Sequence, residues 1–125
     1  MKNVISTDKA PGAIGPYSQA ISTGSMVFVS GQLPLDPATG AFPDGIAAQT
    51  RQSLTNAKNI LEKAGSSMDK VVKTTVFLSD ISNFAAMNEV YGTFFSEGSY
   101  PARSAVEVAK LPKDALVEIE CIAVV

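Results

Sequence analysis

The 125-residue sequence contains no histidine and a single cysteine, Cys121. Without histidine there is no Ser-His-Asp or Cys-His nucleophilic arrangement and no histidine general base. One cysteine cannot close an internal disulfide, and His/Cys metal sites of ordinary composition cannot be assembled. Carboxylate-only magnesium binding lacks a clustered acidic motif. No P-loop and no strand-linked GxGxxG occurs, so a phosphate cradle is not indicated. Charge is sparse as well: 18% of residues are charged, with 10 Lys+Arg against 12 Asp+Glu. No basic run or Lys/Arg-rich helix face is present, which makes nucleic acid a poor candidate partner. Apolar runs fall short of the roughly 18 residues that span a bilayer. The N-terminal "MKNVISTDKAPG" has no apolar signal segment. These absences predict a cytoplasmic protein with no membrane or nucleic-acid partner and no metal.

What is there is apolar surface in excess of what a small domain needs. Hydrophobic residues make up 46% of the chain, a proportion expected when part of the outer surface is buried against other subunits. The length fits one domain, residues 1–125, with no repeat or linker. Glycine and proline mark turns in the first half, "APGAIGPY" and "SGQLPLDPATGAFPDG". Strands are predicted over 3–6, 17–22 and 26–30, the last two joined by Gly24 and Ser25. Ile46, Leu54, Ala57, Ile60, Leu61 and Ala64 recur at helical spacing, and Gly65 follows as a stop. "VVKTTVFL" (71–78) reads as a strand, 81–95 as a second helix, and 102–109 and 116–125 as two last strands.

The order β-β-β-α-β-α-β-β implies right-handed crossovers that place both helices on one face of a mixed sheet. Alternation then assigns faces. In the last strand Val117, Ile119, Cys121 and Ala123 share one side, and Leu116, Glu118, Glu120, Ile122 and Val124 the other. In 102–109 the positions Ala102, Ser104, Val106 and Val108 suit packing under helices, leaving Arg103, Ala105, Glu107 and Ala109 opposite. The second face therefore mixes Phe77, Ile122 and Val124 with Lys73, Arg103, Glu118 and Glu120, a composition that predicts burial between subunits. Charges lodged in such an interface must pair or bind something.

With histidine and metals excluded, arginine, glutamate, tyrosine, asparagine, serine and backbone remain. An arginine fork can hold a carboxylate through two parallel hydrogen bonds, while a glutamate and carbonyls orient water. Taken singly, these residues also have plain readings. A strand arginine is commonly a surface or ion-pair residue, Tyr17 a half-buried packing aromatic, and Asn88 a solvated helix position. Cys121 reads as an inert core thiol. Phe84, Met87, Tyr91 and Phe94 read as a core stripe.

Five stretches carry a resemblance along the whole chain: "APGAIGPYSQA", "VSGQLPLDPATG", "QTRQSLTNAKNIL", "VVKTTVFLSDISNF", and "PARSAVEVAKLP" followed by "VEIE". Together they resemble the Rid (reactive intermediate deaminase, or YjgF-type) family. The resemblance implies an α+β, chorismate-mutase-like fold: a mixed β-sheet with two helices on one face, assembled as a homotrimeric barrel with clefts between subunits. It implies hydrolysis of 2-imino acids or their enamine tautomers, such as 2-aminoacrylate and 2-iminobutanoate, to 2-keto acids and ammonia. Such species are released by pyridoxal-phosphate-dependent dehydratases; the family itself needs no cofactor.

Residue by residue, the resemblance implies that Arg103 grips the substrate carboxylate and Glu118 holds and activates the attacking water, with Glu120 as a second candidate. Tyr17 matches an aromatic at the cleft mouth and Asn88 a polar residue reaching it. Ser30 and Gly31 match a turn whose backbone approaches the ligand. Many bacterial members carry cysteine two residues after the arginine, where this chain has Ala105. A thiol role is lost there, while the backbone carbonyl remains to contact water. The competing reading is a non-enzymatic regulatory module that binds small carboxylates in the same clefts; Glu118 is superfluous to that task. Ribonuclease or translation-inhibiting activity, also attached to the family, is disfavoured by the negative charge and absent histidine.

Overall fold

The computed structural model describes residues 1–125. Its elements follow the predicted order: β1 (Asn3–Ile5), β2 (Ala20–Ser22), β3 (Met26–Gln32), α1 (Ile46–Lys63), β4 (Val71–Leu78), α2 (Phe84–Gly92), β5 (Ala102–Glu107) and β6 (Val117–Val124). Helix α1 stops where the sequence says it should. Gly65 adopts φ +83°, its N–H donates to the Glu62 carbonyl, and the Ser66 N–H reaches back to Leu61 at 2.9 Å. This double closure satisfies carbonyls that the helix end leaves free and requires the left-handed backbone that glycine tolerates. The second helix is shorter than its apolar pattern. Residues 81–83 form a 3-10 turn before it, with the Asp80 carboxylate accepting the Ser82 N–H, and Phe94 and Phe95 pack against the core beyond its end.

The six strands form one sheet in the order β1-β2-β3-β6-β4-β5. Only β4 and β5 pair in parallel; the other neighbours are antiparallel. The connections β3-α1-β4 and β4-α2-β5 therefore lay α1 and α2 side by side over one face. Beneath them Val27, Val76, Leu78, Val117 and Ile119 meet Leu54, Ile60, Leu61 and Met87, all essentially solvent-free. Each such side chain contributes about 1.5–3 kcal/mol of apolar burial. Cys121 lies in this layer as a free thiol whose pKa burial pushes up to about 12, in keeping with an inert role.

The opposite face has no covering element. Phe28 (42% exposed), Val106 (45%) and Val124 (40%) stand on it beside Phe77, Ile122, Glu118 and Glu120. The mixed apolar and charged face expected from alternation is present, with one correction: the phase of β5 is reversed. Arg103 pairs with Thr74 and Ala105 with Val76, both core-facing, so Arg103 and Ala105 lie on the helix side. Ala102, Ser104 and Val106 face outward instead. The cause is a partner the strand's own pattern does not reveal. Arg103 lies over aromatic rings of α2, and an edge strand beside a short helix leaves its guanidinium room to reach solvent.

Candidate functional site

Arg103 is held by three residues of one helix face. Phe84, Asn88 and Tyr91 recur at i, i+4 and i+7 of α2, the spacing that stacks side chains one above another. The guanidinium carbon lies 4.8 Å from the Tyr91 ring centroid and 5.4 Å from that of Phe84, and Nη1 donates to Asn88 Oδ1 at 2.7 Å. Tyr91 is fixed in turn by a 2.7 Å hydroxyl contact with Thr74. Burial raises the Tyr91 phenol pKa, against smaller opposing effects of that contact and of Arg103, so its hydroxyl stays neutral. No carboxylate neutralises Arg103; the single ion pair in the chain, Lys110 with Asp114, is elsewhere and exposed. The remaining guanidinium donors open into a cleft formed with Asn88, Gly92, Tyr100 and Pro101. Phe84, expected in the core stripe, is partly exposed and serves as the floor under this cation.

β5 adds backbone groups to the same edge. The Val108 N–H donates to the Leu78 carbonyl. The two-residue period of a parallel ladder then turns the Val106 and Ser104 amides toward β4 and leaves those of Arg103 and Ala105 on the open edge. The Ala105 carbonyl is thus available to a ligand.

Glu118 belongs to a second group on the other face. β3 carries one more residue than β6 between the pairs Val29–Cys121 and Gln32–Ile119, a bulge at Ser30–Gly31. It brings the Gly31 backbone against Glu118: a Cβ there would run into Glu118 Oε2 and lie 3.0 Å from Cδ. Only glycine fits without displacing the carboxylate. Ser30 Oγ donates to the Ser18 carbonyl at 2.6 Å, tying the bulge to the segment that carries half-exposed Tyr17. That segment roofs a cavity shared by Tyr17, Ile14, Gly31, Leu33, Phe42 and Lys113. The Glu118 carboxyl accepts no hydrogen bond from the chain, and its pKa is raised, first by burial and then by repulsion from Glu120. Glu120 is exposed on the same face, opposite Thr75.

Within one chain the two groups stay apart. Arg103, Asn88 and Ala105 gather at the β5 edge on the helix side; Glu118, Glu120, Gly31, Ser30 and Tyr17 gather at the bulge. β4 lies between β5 and β6, a separation of about 10 Å across the sheet, and the two key side chains leave it on opposite faces. Asn88 and the close backbone approach at Ser30–Gly31 were expected from the resemblance, whereas the seating of Arg103 on Phe84 and Tyr91 and the extra residue in β3 were not; the i, i+4, i+7 spacing of Phe84, Asn88 and Tyr91 was the available signal for the first.

The fold is thus α+β, with a guanidinium that keeps free donors at one sheet edge and a half-buried carboxylate held beside a glycine bulge on the other face. Known proteins of this form are close in sequence. A family model described as endoribonuclease L-PSP matches residues 7–125. The 2-iminobutanoate/2-iminopropanoate deaminase of Salmonella typhimurium is 54% identical, over 99% of this chain and 98% of its own. Escherichia coli TdcF, solved with bound serine, superposes with a TM-score of 0.93 at 50% identity, covering 98% of each chain. A Yersinia pestis protein of the Rid family, YyfA, superposes with a TM-score of 0.96 at 50% identity over the whole of both chains. The chain belongs to this endoribonuclease L-PSP, or Rid, family.

Proposed function

We propose that the chain is a hydrolytic deaminase of 2-imino acids and their enamine tautomers, acting in clefts completed between neighbouring subunits of a homotrimer. The observation that carries this reading is the pairing of an uncompensated Arg103 fork with a poised Glu118 carboxylate that the same chain cannot bring to it. A second copy, docked on the uncovered sheet face, supplies the missing half. The deaminase name borne by the Salmonella relative and the serine held by TdcF agree with a small amino-acid-like ligand.

In the cleft, Arg103 neutralises the substrate carboxylate, and Asn88, Tyr91 and Phe84 keep its fork from rotating. Glu118 of the adjoining subunit and the Ala105 carbonyl hold a water against the imine carbon. Water adds across the C=N bond, one proton passing by way of Glu118 to the nitrogen; the resulting carbinolamine expels ammonia as its hydroxyl becomes the keto oxygen. Imines hydrolyse unaided in water, so positioning and one proton relay suffice. The substrates are products of pyridoxal-phosphate-dependent dehydratases, and this protein removes them before they react elsewhere.

Coupling a threonine dehydratase to the protein, with semicarbazide competing for the imine, tests the reading. Keto acid should form faster with the protein present. Loss of two charge-assisted hydrogen bonds in Arg103→Ala should lower kcat/KM by about 100-fold or more. No acceleration by a wild-type protein that still binds 2-ketobutyrate would favour a carboxylate-binding regulatory module instead.

A further inference from the structure

The segment 6–19, between β1 and β2, carries one wall of the candidate site yet contains no helix or strand. Its backbone ties are few. The Tyr17 N–H reaches Gly15, and the Ser30 N–H reaches the Gln19 carbonyl. Two side chains from outside it add single ties, Asn59 Nδ2 donating to the Lys9 carbonyl at 2.9 Å and Ser30 Oγ to that of Ser18, but most of the shaping comes from one amide. Gln19 Oε1 accepts the Thr7 N–H at 2.7 Å, while Nε2 donates to the carbonyls of Pro11 at 2.8 Å, Thr7 at 3.0 Å and Ala10 at 3.4 Å. The side chain is 4% exposed. Two hydrogens serve three carbonyls, so the longest contact is shared, and the NH2 group has no donor left over. Gln19 thereby ties the segment's entry, at 7–11, to its exit, at 18–20. Between them residues 12–17 stand in solvent, with Ile14 and Tyr17 leaning over Gly31 and Leu33.

We infer that Gln19 is a positioning residue for this reaction: its amide closes the segment into a ring and thereby sets Tyr17 against the Gly31 bulge on which Glu118 rests. The inference rests on the deaminase reading for its kinetic consequence, though not for its structural one. Gly12, Gly15 and Pro16 give the wall no stiffness of its own beyond the proline ring. Without the amide, the buried carbonyl of Ala10 and the half-buried carbonyls of Thr7 and Pro11 lose their donor, a costly state that opening of the segment relieves. Tyr17 would then sample positions away from the cleft, and substrate would meet a competent wall only part of the time.

The test uses Gln19→Leu, which keeps volume and removes the polar contacts, in the full-length protein. Amide hydrogen exchange at residues 11–18 should accelerate about tenfold or more, as expected for loss of local closure, with α1 and β6 unchanged. The kcat/KM for imine should fall by about tenfold, a typical effect of lost positioning. In a Tyr17→Ala background the same substitution should cost almost nothing, because a residue acting through Tyr17 has nothing left to position. Unchanged exchange at 11–18, or kinetic losses that simply multiply, would overturn the inference. If Gln19→Leu does not fold, Gln19→Asn keeps the amide but shortens its reach, and the same two readings apply. If wild type hydrolyses no imine, the deaminase reading fails and the positioning role stands or falls on exchange alone.

Discussion

Glu118 bears its charge where the fold favours the neutral acid. Burial and Glu120 raise its pKa above the ordinary 4.5, and the Gly31 backbone gives it no compensating hydrogen bond. Below about pH 4.5 the group is protonated whether the chain is folded or not, and the folded state loses nothing. As pH rises through the elevated folded-state value, ionisation is harder in the fold than in the unfolded chain, and stability falls. Glu118→Gln should therefore melt higher than wild type at neutral pH, with the difference closing in acid. The same substitution should lower kcat by about 100- to 10,000-fold, the range for a lost general base. A variant that is both less stable at neutral pH and fully active would contradict both halves. Arg103 is the complementary case: its rings and Asn88 orient it without cancelling its charge.

At the scale of elements, most of the secondary structure was legible and the strand phases were legible in part. Helix α1 announced itself through Leu54, Ala57, Ile60 and Leu61 at one face and Gly65 at its end. β6 did so through strict alternation, since Val117, Ile119, Cys121 and Ala123 contrast with Glu118 and Glu120. In β5, Ala102, Ser104 and Val106 against Arg103 and Ala105 offer no such contrast, so the phase is set by Thr74, Val76 and Tyr91, residues remote in sequence. The bulge was equally hidden: it is a mismatch in length between β3 and β6, and no property of Ser30 or Gly31 alone. The turn before β6 supplies a prediction of its own. Lys113 sits at φ +56° in the left-handed region, where a side chain other than glycine, asparagine or aspartate costs about 1 kcal/mol. Lys113→Asn should stabilise the protein by about 0.5 kcal/mol, a rise of roughly 2 °C in Tm at fixed concentration. An unchanged or lower Tm would mean that contacts of the lysine side chain outweigh its backbone strain.

At the scale of the whole molecule, one sheet face is finished and the other is not. The helices cover Val27, Val76 and Ile119, while Phe28, Val106 and Val124 have no partner within the chain. The candidate site is divided along the same line, with Arg103 on the finished side at an edge and Glu118 on the unfinished side at a bulge. The proposed assembly covers both facts: a neighbour docked on the surface that lacks a cover would complete the cleft. Alternation in the sequence pointed to that unfinished face, and the resemblance of its motifs to the Rid family supplied both candidate residues, Arg103 and Glu118. That the two leave opposite sides of the sheet depends on the pairing of β5 with β4, which no local pattern encodes.

Mixing two inactive variants measures this directly. Arg103→Ala and Glu118→Gln are unfolded together in equal amounts and refolded, so that subunits assort at random, and imine hydrolysis is compared with wild type. A cleft that takes Arg103 from one subunit and Glu118 from its neighbour is intact whenever the right variants adjoin, which for random assortment restores about a quarter of wild-type activity. Activity no greater than that of the separate variants, from mixtures shown by mass to contain both subunits, would contradict a shared cleft.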